Sequence, residues 1–198
     1  MPELDWANAL DRLFDNPDDA DVRPWAAARI EAGACTPGQR RAYELLTAGE
    51  SVIDLLARTP HIAQQAVESA PARLLTIAPG DGEWDATQVI HHLADNEAVN
   101  AVRIRSILTE DTPEIFGYDS DPWARFFRLE SVEDALERFV VSRRNTVALV
   151  KSLTPRDLDR KGVLSYRGAE SLRVLLAVLA GHDRDHLDQL RATLDAAA

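Results

Sequence analysis

The placement of glycine and proline is the feature that most constrains how this chain can fold. Its 9 glycines and 10 prolines are few among 198 residues, and most of them cluster between long stretches of helix-forming residues. Glycine and proline are the poorest helix formers, so stretches that lack them can form uninterrupted helices. This distribution predicts an all-α protein.

Three long periodic stretches dominate the second half of the chain. They cover residues 85–110, 131–153 and 171–194. Asp85 is followed by Gln88 three positions later, the spacing of a helix capping box. Ser131 and Asp134 repeat that spacing at the second stretch. Together with a helix from residues 36–69, the three stretches predict a four-helix bundle.

Shorter helices are predicted before the bundle. The first covers residues 4–14 and is broken at Asn16-Pro17, while Pro24 fits the first turn of a second helix.

Two further proline pairs mark helix starts in the next segment. Thr36-Pro37 is a good N-cap and first helical position for a helix that runs toward residue 56. Thr59-Pro60 then predicts the start of another helix, which ends near residue 69.

Charge and cysteine content exclude several classes of function. The chain has 22 Lys and Arg against 33 Asp and Glu, a formal charge of −11, so we expect no nucleic-acid partner. The single cysteine, Cys35, fits a reducing compartment. The acidic start does not match a secretory signal, and no apolar run approaches the roughly 20 residues of a membrane span. We therefore expect a cytoplasmic protein without a membrane partner.

Two histidines lie one turn apart in the last long stretch. On a helical wheel of about 100° per residue, His182 and His186 fall within or at the edge of its leucine stripe. Neutral imidazole is a common ligand of zinc and similar ions, and three protein ligands leave a position open for water or substrate. Burying two imidazoles without a partner is costly, so the pair indicates a metal site, with a pair of core histidines as the alternative.

A third ligand would come from the helix predicted over residues 85–110. His91 and His92 flank opposite edges of its apolar stripe, so the wheel alone does not choose between them. Asn96, Asn100 and Arg103 continue a polar line on the side of His92, where they could border a polar cavity.

Several ordered segments carry a family resemblance. The main ones are GEWDATQVIHHLADNE at residues 82–97 and GHDRDHLDQL at residues 181–190. TEDTP at residues 109–113 and YDSDPW at residues 118–123 add to them. Together they resemble the DinB superfamily, specifically its YfiT-like branch with mycothiol and bacillithiol transferases. The resemblance covers residues 50–194.

The resemblance implies a bundle of up-down-down-up topology, commonly dimeric, with a divalent metal on three histidines. Carried over by position, the ligands are His92, His182 and His186. Zinc or nickel is the expected ion, with iron or manganese as further options, because histidine sites accept several first-row metals. The partners implied are a low-molecular-weight thiol, an electrophilic substrate and a second copy of the chain.

The chain departs from the compact family domain at its start. Residues 1–45 have no counterpart there, so we interpret them as an N-terminal helical extension and residues 46–198 as the metal-binding bundle domain. Asp183 and Asp185 stand where relatives often carry other polar residues or histidine. The resemblance therefore does not predict the electrostatic field around the ligands.

Alternative functions use the same residues. A metal-dependent hydrolase would need a carboxylate base, for which Asp95 and Glu97 are candidates on a helix surface. A non-catalytic metal-binding or stress-response interaction protein is a further alternative, as is a bundle that binds no metal. Arg103, Arg143 and Arg144 could hold polar groups of a thiol cofactor, although solvated surface positions are the more common outcome.

Overall fold

Helices form most of the structure, a computed structural model that describes residues 4–198. Residues 1–3 of the predicted extension lie outside this range. The helices are α1 (Trp6–Asp15), α2 (Val22–Glu31), α3 (Pro37–Thr47), α4 (Val52–Ser69), α5 (Ala86–Thr109), α6 (Ser120–Ala124), α7 (Val132–Lys151), α8 (Pro155–Leu158) and α9 (Leu172–Ala197). None of the helices within the described range combines the length and the apolar character that a membrane crossing requires.

Local capping fixes where the long helices begin. Asp85 accepts a hydrogen bond from the backbone N–H of Gln88 at the start of α5, and the Gln88 side chain completes the capping box. Ser131 and Ser171 accept the corresponding backbone hydrogen bond, from the N–H groups of Asp134 and Val174, at the starts of α7 and α9. The three long helices are therefore confirmed, with ends within a few residues of those predicted.

Side-chain pairs between α5 and α7 show that these two helices run in the same direction. Asp95 pairs with Arg138, and Glu97, further along α5, pairs with Arg143, further along α7.

Helix α9 runs antiparallel to α5. Asn96 lies within hydrogen-bond distance of His182, whereas His92, one turn earlier, packs against His186, one turn later.

Helix α4 runs antiparallel to α7, because Leu56 contacts Arg143 while Val67 shares a groove with Leu136. Both α4 and α5 pack against α7 and α9, so α4 and α5 lie across the bundle from each other. The four-helix bundle and its up-down-down-up path are confirmed.

The helices before the bundle share its core. Helices α1 and α3 pack on α9, and Leu10 and Leu13 of α1 are fully buried in one apolar cluster with Leu175 of α9. The predicted division between residues 45 and 46 falls inside α3. The separation of the chain into an extension and a bundle domain stays a prediction.

Two predicted helix boundaries were wrong. Helix α3 ends at Thr47 rather than near residue 56, because Gly49 adopts φ 68° and closes the helix with a bond from its N–H to the carbonyl of Leu46. Helix α4 runs through Pro60 without a restart. Proline cannot donate to the carbonyl four residues earlier. The side chain of Arg143 donates to that carbonyl, of Leu56, instead (3.2 Å).

A small sheet accompanies the helices, which the all-α prediction did not include. Strand β1 (Glu114–Ile115) pairs in parallel with β2 (Lys161–Leu164), which pairs antiparallel with β3 (Gly168–Ser171). These strands have two to four residues, too few for alternating hydrophobicity to stand out in the sequence. β3 leads directly into α9 and so fixes the start of the helix that carries two of the predicted ligands.

Candidate metal centre

Three histidines converge between α5 and α9. The ring centroids of His182 and His186 lie 4.3 Å apart, and that of His92 lies 5.0 Å from the first and 4.5 Å from the second. One potential ligand atom from each ring falls within 4.8 Å of the other two. The structure brings together the residues predicted to be ligands, and metal binding by them stays a prediction.

The three imidazoles are held in the form that can bind a metal. Burial lowers the pKa of His92 to about 3, with a further contribution from His186. Burial is also the main cause that lowers the pKa values of His182 and His186. All three rings are therefore neutral at neutral pH, and the neutral ring has the free lone pair that a metal requires.

The hydrogen-bond partner of His186 supports a ligand role for that ring. Nδ1 of His186 lies 2.7 Å from Oε1 of Gln189, so the ring donates its proton there and keeps Nε2 free. Nδ1 of His182 lies 3.2 Å from the amide of Asn96. Nδ1 of His92 is buried without a partner in residues 4–198.

The spacing of two ring nitrogens also fits a shared ion. Nε2 of His92 lies 2.9 Å from Nε2 of His182. At the metal–nitrogen distance of about 2.0–2.1 Å, two neighbouring ligands on one ion stand about 2.9–3.4 Å apart. The donor set therefore fits a divalent cation.

His91 takes no part in this cluster. Its Nδ1 lies 2.6 Å from the carbonyl oxygen of Thr87 and its Nε2 lies 3.2 Å from that of Glu130, while its ring stacks on Phe127. Of the two neighbouring histidines on α5, His92 is the one that faces α9.

A cavity of about 440 Å³ lies beside the histidines. The aromatic rings of Trp84 and Tyr118 flank His92, with centroids 4.9 and 6.5 Å from its own. Asn96 and Arg103 line the wall, as the polar line on α5 predicted. Burial raises the pKa of Tyr118, so its hydroxyl keeps its proton at neutral pH.

The first turn of α3 completes the cavity wall. Thr36, Pro37 and Gly38 line the cavity opposite α5. Helix α3 lies close to α9 here, because a Cβ at Gly181 would stand 2.8 Å from the carbonyl oxygen of Gly38. Sequence reasoning did not connect this segment with the metal site, although it placed the helix start at Thr36 correctly.

The candidate bases of a hydrolase lie elsewhere. Asp95 pairs with Arg138 at 2.9 Å, and Glu97 is fully buried. Neither lines the cavity, so both predictions of a base at these positions lose their support. Asp185 lines the cavity, and its carboxylate pairs with Arg41 at 3.0 Å.

A buried ion cluster lies directly behind the histidines. Arg143 pairs with Glu97 at 2.6 Å and with Asp183, the residue after His182. Thr146 donates to the second oxygen of Glu97. The prediction of a solvated Arg143 was therefore wrong.

The other two candidate arginines differ from each other. Arg144 is exposed as expected, whereas Arg103 is buried at the cavity wall. Cys35 lines a separate cavity of about 290 Å³ beside Arg41, and burial raises the pKa of its thiol. A raised pKa makes a thiol a poorer nucleophile at neutral pH.

Several bacterial proteins are similar to this chain. A relative from Bacillus licheniformis is 28% identical over 146 residues, which are 72% of this chain and 83% of the relative. YfiT of Bacillus subtilis is 39% identical over 110 residues, 54% of this chain and 62% of YfiT. A relative from Oceanobacillus iheyensis is 30% identical over 107 residues and is also matched over 62% of its length. All three carry the provisional name of metal-dependent hydrolase.

The fold and the sequence agree on the family. The solved structure of YfiT from Bacillus subtilis, described as a four-helix bundle of unusual topology, matches with a TM-score of 0.67 and 26% identity. The match covers 72% of this chain and 83% of YfiT. The family model of the DinB superfamily matches residues 55–190, more than half of the chain. The chain therefore belongs to the DinB superfamily.

Proposed function

We propose that this protein is a metal-dependent enzyme that transfers a low-molecular-weight thiol, of the mycothiol or bacillithiol type, to an electrophile. The observation that carries the proposal is the cluster of His92, His182 and His186 beside a cavity of about 440 Å³. Zinc or nickel is the ion we expect on these ligands, with iron or manganese as further options.

Two features of the site favour thiol chemistry: its candidate ligands are neutral imidazoles, and its cavity wall contains no cysteine nucleophile. A divalent ion held by three imidazoles favours the deprotonated, nucleophilic form of a bound thiol. The cavity offers no cysteine among its lining residues, and Cys35 lines a different one. The sulfur would therefore arrive on the small molecule. Trp84 and Tyr118 supply apolar walls that can exclude water around it.

Hydrolysis is the second candidate, because the similar bacterial proteins are provisionally named hydrolases. Asp185 is the carboxylate that lines the cavity, and one of its oxygens is already engaged in an ion pair with Arg41. A non-catalytic metal-binding protein would have little use for the open volume next to the histidines. Thiol transfer therefore ranks first.

The proposal is tested with protein purified without a histidine tag and loaded with zinc or nickel. Thiol consumption is followed with mycothiol, bacillithiol, glutathione and cysteine against a panel of electrophiles. We expect metal-dependent turnover that His182→Ala abolishes and Cys35→Ser leaves intact. Absence of metal-dependent turnover with every thiol would contradict the proposal.

The hydrolase alternative is read out in the same preparations. Thiol-independent hydrolysis of ester or amide substrates that Asp185→Asn abolishes would favour it over thiol transfer.

We also propose a cytoplasmic homodimer without nucleic-acid or membrane partners. Phe116 and Leu129, on the segment between α5 and α7, are 74% and 81% exposed and could be covered by a second copy. Light scattering should give twice the chain mass of 21.9 kDa. A monomeric mass at micromolar concentration would contradict the dimer.

A further inference from the structure

Arg103 is a buried cation for which residues 4–198 provide no counter-charge. The residue is 7% exposed. Its Nη2 donates to the carbonyl oxygen of Phe116 at 3.0 Å, while its Nε is buried without any partner in the described chain. An unpaired buried charge is strongly unfavourable, so its presence calls for a compensating group.

The other buried arginines of the structure show what such compensation looks like. Arg143 contacts the carboxylates of Glu97 and Asp183. Arg167, which also lines the cavity, binds both carboxylate oxygens of Glu170, at 2.9 and 2.6 Å. Arg103 forms no ion pair of this kind within the described residues. It is therefore the buried guanidinium left available for a bound anion.

The position of Arg103 places that charge in reach of the metal ligands. Arg103 lines the cavity of about 440 Å³ together with the three histidines. It also borders an adjoining space of about 70 Å³, which contacts Asn100 and His182. The Cα–Cβ bonds of a helix tilt toward its N-terminus, which for Arg103 is the direction of His92 along α5.

Tyr118 is a neighbour of both the guanidinium and the histidine cluster, and so limits how far apart they can be. The Cζ atom of Arg103 is 5.9 Å from the Tyr118 ring centroid, and that centroid is 6.5 Å from the centroid of His92. The separation of Arg103 from His92 cannot exceed the sum of these two distances. One elongated small molecule can therefore reach both.

The remaining charges at the cavity wall cancel in pairs. Asp185 pairs with Arg41, and Glu170 pairs with Arg167. The excess positive charge of Arg103 therefore persists in a chain whose formal charge is −11. Charge of this sign, on a planar fork of N–H donors, matches a carboxylate.

We propose that Arg103 binds a carboxylate of the small molecule whose sulfur is held at His92, His182 and His186. This inference rests on the proposed thiol function and narrows its substrate class to thiols that carry a carboxylate several bonds away from the sulfur. Arg103 sets specificity, and the metal site sets reactivity.

Matched thiols of equal length test the inference by calorimetric titration of the zinc-loaded protein. Mercaptopropionate, mercaptohexanoate and mercaptooctanoate are compared with the alcohols of the same chain lengths. We expect one of the longer acids to bind about 10- to 100-fold more tightly than its alcohol, the range for hydrogen bonds to a charged group. In Arg103→Met and Arg103→Gln the ratio should fall to about one, with the affinity for the alcohol unchanged.

Arg105→Met is the matched control. Arg105 is exposed on the same helix and donates to the carbonyl of Ala101, so this variant removes the same charge from outside the cavity. It should keep the wild-type ratio. Thermal midpoints supply a second readout: removing an unpaired buried charge should leave the Arg103 variants as stable as the wild type or more stable, whereas loss of a structural brace would lower the midpoint.

The outcomes separate this inference from the proposed function. Equal binding of acids and alcohols by the wild type, or a preference that survives in both Arg103 variants, overturns the role of Arg103. If the alcohols show no metal-dependent binding, the thiol function fails. Octanoate titrated into the metal-free protein then tests the carboxylate-binding role of Arg103 alone. Octanoate binding that Arg103→Met abolishes supports this role. Binding that the variant retains, or no binding to the wild type, overturns it.

Discussion

Arg143 and Asp183 form a buried ion pair directly behind the candidate metal ligand His182. Both side chains are at most 1% exposed, and they belong to α7 and α9. The same guanidinium contacts Glu97 of α5 and the carbonyl of Leu56 in α4. One side chain therefore joins all four long helices of the bundle.

Replacing Arg143 by methionine should destabilise the protein strongly. The change leaves two carboxylates buried without their cation, a situation that costs about 3–5 kcal/mol in other proteins. Urea denaturation measures the free energy of unfolding. Arg144→Met is the control, because Arg144 is the exposed neighbour and its loss should stay within about 0.5 kcal/mol. Similar losses of unfolding free energy in both variants would show that the buried ion cluster stabilises the protein no more than an exposed arginine does.

Metal content should follow the three converging histidines. We expect about one divalent ion per chain in untagged protein, and occupancy below about one tenth of that in His92→Ala or His186→Ala, since two remaining imidazoles hold such ions weakly. Elemental analysis gives the stoichiometry. His91→Ala should keep its ion, because His91 faces backbone carbonyls instead. Loss of metal in His91→Ala alone would mean that the wrong histidine of α5 has been assigned.

The stability of the metal-free protein should fall as pH falls below about 6.5. The pKa of His92 is lowered from 6.5 to about 3, and those of His182 and His186 are lowered too. In that window the unfolded chain binds protons that the folded chain excludes, so acid favours unfolding. Between about pH 7.5 and 5.5 His92 alone should contribute roughly 1 kcal/mol to the loss.

Urea midpoints at the two pH values measure this effect. His92→Asn, which cannot take up the proton, should lose less stability on acidification than the wild type. Equal losses in the two proteins would contradict the buried, neutral state of His92.

Gly181→Ala should destabilise the protein although alanine favours helices. A Cβ there would stand 2.7 Å from the backbone nitrogen of Ala42 and 2.8 Å from the carbonyl oxygen of Gly38, so α3 would have to move away from α9. We expect a loss of about 1–3 kcal/mol where an open helix would gain about 1 kcal/mol. In Gly38→Ala the new Cβ meets mainly the side chain of Val178 at 3.0 Å, so thermal unfolding should show a smaller loss.

Local signals account for the parts of the fold that could be predicted. Asp85, Ser131 and Ser171 cap their helices with bonds to residues three positions on, a pattern that is visible in the sequence. The polar line of Asn96 and Arg103 likewise follows from helical spacing alone. It correctly selected the face of α5 that borders the cavity.

Contacts between distant segments account for the parts that could not. In the sequence, Pro60 indicates a helix start. In the structure the helix continues through it, because a side chain from α7 compensates for its missing N–H. From residue type alone, Arg143 is predicted to be a surface charge. Its spacing from Phe139 and Val147, however, places it on the buried stripe of α7. That spacing identifies a core position, but only the folded structure shows that Glu97 and Asp183 supply its partners.

The close contact of α3 with α9 also bears on how the chain is made. Arg41 of α3 binds Asp185 across a sequence separation of 144 residues, and α9 is synthesised after every other described element. Leu10 and Leu13 pack in one apolar cluster with residues of both α3 and α9, so their burial is complete only once α9 is present. This fold can therefore be completed only after α9 has been synthesised, and until then the first helices expose part of their apolar surface.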